Sequence, residues 1–110
     1  MIILDEFTQE NCETRVLETQ TPVLVDFRSP GNAPEYQATF LERLCLVWNS
    51  PLTLGYVDVS KLMPVALFHR IHDLPSLCLF QKGKIIKVWT GPDRMQKMLE
   101  NGPQIYAQIN

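Results

Sequence analysis

The residues best suited to chemistry gather at the end of one strand and in the corner after it. An apolar run, Val23-Leu24-Val25, leads into Asp26, Phe27 and Arg28, and a Ser-Pro-Gly-Asn-Ala-Pro-Glu corner at 29–35 opens a helical pattern. Asp26 reads as a buried acid at the end of that strand, and a strand-to-helix corner aims backbone donors and the helix dipole at whatever binds there. The corner itself carries no nucleophile, since its polar side chains are the amide of Asn32 and the carboxylate of Glu35. The three cysteines, Cys12, Cys45 and Cys78, form no CxxC pair and are odd in number, which argues against a disulfide framework. His69 and His72 stand three apart beside Asp73, yet zinc needs further ligands and none is close in sequence. They read as solvated or capping residues, and neither a metal nor a cofactor is expected.

The elements that must position these residues follow from periodicity and punctuation. Residues 2–4 form a short first strand. Thr8 caps a helix running to about Glu18, with Cys12, Val16 and Leu17 inward. Val23–Phe27 is apolar on both faces, as a central strand covered by helices on both sides must be. A second helix runs from Pro34 to Asn49 with a buried stripe of Phe40, Leu41, Leu44, Cys45 and Trp48. A third strand at Leu52–Val59 and a short helix at Lys61–His69 follow. Then comes a hairpin, Ser76–Gln81 and Ile85–Trp89, around Lys82-Gly83-Lys84. The last helix spans Asp93–Glu100, where Asn101-Gly102-Pro103 is expected to break it. That makes 101–110 an extra segment, docked through Ile105, Tyr106 and Ile109 or serving as a partner-binding tail.

Composition sets the outer bounds. A chain of 110 residues suits one domain, and 45% hydrophobic with 20% charged residues describes a globular chain. A net charge of −2 without a basic block argues against nucleic acid as a partner. No apolar run approaches the ~20 residues that span a bilayer, and the first residues lack the pattern of a signal peptide. The chain is read as cytoplasmic, with no membrane partner.

In order and register, Val25-Asp26-Phe27, Arg28-Ser29-Pro30-Gly31, Asn32-Ala33-Pro34-Glu35, Leu74-Pro75-Ser76, Lys82-Gly83-Lys84 and Gly91 resemble the thioredoxin family over roughly residues 2–100. In that family Asp-Phe is followed by Trp-Ala-x-Trp and the redox motif Cys-Gly-Pro-Cys, and a cis-proline lies opposite. The resemblance implies a thioredoxin-like three-layer α/β/α sandwich with a mixed central sheet and a cis-proline at Pro75. Asn32 and Glu35 stand where the redox cysteines would be, and Arg28 and Gly31 replace both tryptophans. Disulfide exchange needs an attacking thiolate and a resolving thiol, so dithiol oxidoreductase activity is excluded at this corner.

The expectation is a non-catalytic module, of the chaperone or assembly-factor type, that binds a protein or peptide partner. An extended peptide would add as a short strand beside Pro75, with Arg28, Asn32, Ala33, Glu35, Leu74 and Gly91 as the rim. Alternatively Pro75 is only a turn the fold requires, and Arg28 and Glu35 pair with each other. Asp26 matches the family's buried acid, and Tyr56 takes the place of a lysine often found near it, so a Tyr56-to-Asp26 hydrogen bond is expected. Two other readings stay open: a single-cysteine thiol enzyme using Cys78, and a structural subunit that self-associates through an edge strand or the 104–110 tail.

Overall fold

The computed structural model describes residues 2–8, 10–28, 38–48, 50–60 and 73–109. The corner at 29–37, with Asn32, Ala33 and Glu35, and the segment 61–72, with the expected third helix and both histidines, lie outside the described residues.

Five strands form one mixed sheet: β1 (Ile2–Glu6), β2 (Val23–Arg28), β3 (Leu52–Asp58), β4 (Ser76–Gln81) and β5 (Lys84–Thr90), in the order β1-β3-β2-β4-β5. β3 runs parallel to β1 and β2, while β4 lies antiparallel to both β2 and β5. Three helical elements are described: α1 (Glu13–Leu17), α2 (Ala38–Val47) and α3 (Arg94–Ile109). No helix among the described residues is long and apolar enough to cross a membrane.

All six residues of β2 are buried, because β2 lies between β3 and β4 and both its faces are covered. On one face Val23, Val25 and Phe27 join Phe7, Cys12, Val16, Val57, Cys78 and Phe80 under α1. On the other, Leu24 joins Leu44, Trp48, Leu54, Leu77, Leu79, Trp89 and Met98 under α2 and α3. Strand alternation sorts the chain onto the two faces, and Asp26 and Arg28 continue the face of Leu24.

The first helical stretch starts at Thr8 through its main chain. Its carbonyl accepts from Cys12 N–H at 2.9 Å, and its N–H donates to Asn11 Oδ1 at 2.8 Å. The turn then widens to a π-helical one, closed by Glu18 N–H on Glu13 O at 2.9 Å. The β4–β5 hairpin turns on Lys82 and Gly83, with φ of 52° and 79°, as a two-residue connection requires.

Two expectations are corrected. The last helix does not break at 101–103; α3 continues to Ile109 with Pro103 inside it. Proline in a helix interior removes one backbone bond and costs about 3 kcal/mol, but Ile105 and Tyr106 pack against the core and Tyr106 stacks on Trp48 at 5.4 Å, which holds the last turns in place. Gly102 is a packing glycine rather than a stop, since a Cβ there would lie 3.1 Å from Met98 Cγ and 3.4 Å from the Trp89 ring. Cys45, expected on the buried stripe of α2, is exposed. The buried seam is Leu44 and Trp48, and each helical residue advances about 100°, so Cys45 turns away from it.

Candidate functional site

Asp26 is the centre of the described site. It sits where β2 is flanked by Tyr56 of β3 and Leu77 of β4, with no exposed surface. A buried charge is tolerated only when paired and hydrogen-bonded, and the partner is Arg94. Its Nε donates to Asp26 Oδ1 at 2.6 Å and its Nη2 to Oδ2 at 2.8 Å, a fork-on-fork pair with Arg94 only 6% exposed. A cation from the first turn of α3, not foreseen in the sequence, thus anchors the carboxylate. Tyr56 underlies Arg28, whose guanidinium lies 4.1 Å from the ring centroid.

Arg28, expected on the rim, is turned inward. It is 3% exposed, with its Nε 3.7 Å from Asp26 Oδ2, so its charge lies beside the buried acid. Two guanidiniums therefore converge on one carboxylate.

Leu74, Pro75 and Gly91 meet at the surface above this cluster. The Leu74–Pro75 peptide is cis. Pro75 O accepts from Gly91 N–H at 3.0 Å, and the Ser76 hydroxyl donates to Asp73 O. Leu74 is 41% exposed, and its backbone N–H and C=O have no hydrogen-bond partner among the described residues. Strand addition uses such backbone groups together with a pocket or contact for a neighbouring side chain. Asn32, Ala33 and Glu35 lie outside the described residues.

The thiols divide clearly. Cys12 and Cys78 are buried. Burial first, and the charge of Asp26 second, push the Cys78 thiol up from 9.0 to about 12, so it stays protonated at neutral pH.

Arg94 is the residue that sequence reasoning missed. A signal existed, because Arg94 precedes Met98 by one helical turn and so heads the inward stripe of Met95, Met98 and Leu99. A cation on a buried stripe calls for a buried anion, and Asp26 was already in hand.

No protein-family model matches the chain. It is 32% identical over 92 residues to Thioredoxin C-2 of Corynebacterium nephridii, covering 83% of this chain and 85% of that protein. It is 29% identical over 87 residues to the thioredoxin of Buchnera aphidicola subsp. Schizaphis graminum, covering 78% and 81%. With that likeness along most of its length, and with its mixed α/β sheet, the chain belongs to the thioredoxin family.

Proposed function

We propose that this thioredoxin-family chain binds a protein or peptide partner without dithiol chemistry, through the edge at Leu74–Pro75 with Gly91 beside it, together with the residues Asn32, Ala33 and Glu35. The observation that carries the reading is the Asp26–Arg94 pair. A carboxylate whose two oxygens are each held by the same guanidinium is poorly placed to pass a proton to a thiol. The sequence agrees, having an amide and a carboxylate where the family has its two cysteines. The backbone of Leu74, without a hydrogen-bond partner among the described residues, supports a means of recognition that needs no sulfur. Such a module would fit a chaperone or an assembly factor.

The names of the relatives favour a second reading, disulfide exchange. Here it would have to run through single thiols, of which Cys78 is buried and protonated and Cys45 is the exposed one.

The test has two arms. The native chain should not accelerate reduction of insulin by dithiothreitol. From a random library of extended peptides it should select binders whose affinity falls about tenfold or more in Leu74→Asp, while the exposed control Leu46→Asp leaves it unchanged. Catalysed insulin reduction, or binders indifferent to Leu74→Asp, would overturn the reading.

A further inference from the structure

We infer that Arg94 is the positioning residue of the Leu74–Pro75 edge, acting through Gly91 rather than by touching a partner. The functional consequence rests on the binding role just proposed; the structural one does not.

Arginine carries five donors in a rigid fork. Two of them hold Asp26, and a third, Nη1, reaches Gly91 O at 3.3 Å. The same carbonyl accepts from the backbone N–H of Arg94 at 3.2 Å, and Gly91 N–H donates to Pro75 O at 3.0 Å. Gly91 is thus bound on both sides of its α-carbon, with φ of +96°, a conformation that side-chain-bearing residues rarely adopt. A continuous path runs from the centre of the sheet at Asp26, through Arg94 at the head of α3 and Gly91, to the carbonyl of Pro75. One residue further lies the exposed Leu74.

The competing account is that Arg94 only neutralises Asp26. A lysine would neutralise it equally well, as a point charge. The fork and the third donor on Gly91 do what neutralisation does not require: they fix the distance between β2 and the 91–94 turn.

The experiment compares the native chain with Arg94→Lys, which keeps the charge but loses the fork, and with the double variant Asp26→Leu/Arg94→Met. The double variant removes one anion and one cation together, so the net charge of the cluster is unchanged and Arg28 keeps the Tyr56 ring beneath it; exchanging a buried pair for apolar side chains of similar bulk is a change that proteins often accept without loss of stability. If the lysine variant fails to fold, the double variant still decides. Amide hydrogen exchange is read at Gly91, with Val25 as the core reference, and affinity is measured for a peptide selected on the native chain. In both variants Gly91 should exchange about tenfold faster relative to Val25, and the peptide should bind about tenfold more weakly. Unchanged Gly91 exchange in the folded double variant would overturn the inference and leave Arg94 as a counter-charge. Faster exchange with unchanged affinity would overturn its functional half. Failure to select any peptide would count against the binding role instead, and the exchange data would still decide the structural half.

Discussion

At its N-terminal end β2 buries Val23, Leu24 and Val25; three residues later, in the same strand and just as deeply, it buries Asp26 and Arg28. The apolar half is satisfied by any neighbours of suitable volume, so Leu24 rests on Leu44, Leu54 and Leu79 without a unique partner. The charged half is satisfied only by a particular side chain at a particular angle, and Arg94 meets both oxygens of Asp26 within 2.8 Å. Apolar burial makes the strand stable, whereas the buried pair specifies where the end of β2 stands relative to α3.

The largest expected effect breaks the charged half. Asp26→Ala leaves the buried guanidiniums of Arg28 and Arg94 without their shared carboxylate, and Arg94→Ala strips both of its hydrogen bonds from the buried carboxylate, with Arg28 still 3.7 Å away. Each should cost about 3–5 kcal/mol, whereas Asp26→Leu/Arg94→Met, which leaves the net charge of the cluster unchanged, should fall within about 1–2 kcal/mol of the native chain. Urea unfolding of all three measures it, and a double variant as unstable as the singles would mean that the pair contributes net stability. In the apolar half no such rescue exists. Leu24→Ala should cost about 2–5 kcal/mol through lost burial and a cavity, with no second-site partner restoring it, and the same titration reads the difference.

This contrast also explains what the sequence could and could not tell. The two faces of β2 were legible because alternation is local: odd and even residues of one strand must face opposite ways, and Leu77–Phe80 repeat the pattern next door. The place of Asp26 at the end of that strand was legible for the same reason. Its partner was not, since Arg94 lies 68 residues away and no local period connects them. The inward turn of Arg28 was hidden similarly, because only the register with β3 places the Tyr56 ring beneath its guanidinium. The expected break in α3 was a local rule correctly read, then overridden by packing that the rule does not see: Gly102 against Met98 and Trp89, and Tyr106 on Trp48.

Cys78 marks the boundary between the two halves, since it pairs with Val25 across β4 while feeling the charge of Asp26. Its folded thiol is pushed up to about 12 from 9.0. Between those values the folded chain keeps a proton that the unfolded chain has released. The unfolded state then binds fewer protons, so stability must fall as pH rises through this window, at about 1.4 kcal/mol per pH unit where it is steepest. Below pH 9 the group should have no effect. Unfolding titrations at pH 8, 9.5 and 10.5 on the native chain and Cys78→Val should show a steeper alkaline loss in the native chain. Every other side chain is common to the two chains, so the difference between the profiles reads Cys78. Parallel profiles would place Cys78 in a less buried setting than its neighbours imply. At pH 8, quantitative labelling of the folded chain should modify Cys45 alone.

The smallest effect sharpens the comparison by moving it along α3. Asp93 and Lys97 form an ion pair of 3.2 Å at the start of the same helix, one residue before Arg94, but their side chains are 62% and 48% exposed. Water solvates both ions with or without the contact, salt screens them, and fixing two mobile side chains has an entropic cost. Lys97→Ala should therefore change stability by about 0.5 kcal/mol or less, and the change should shrink further between 0.05 and 1 M sodium chloride, where the Debye length falls from above 10 Å to about 3 Å. The cost of Arg94→Ala should hold nearly constant over the same range, because no counter-ion reaches a carboxylate with no exposed surface. The cost of truncating the cation would then differ about sixfold or more between these two ion pairs in one helical turn, as would the salt response, with burial as the variable that separates them. Equal salt sensitivity of the two would mean that solvent reaches Asp26, and that the end of β2 is held less rigidly than its bonds to Arg94 require.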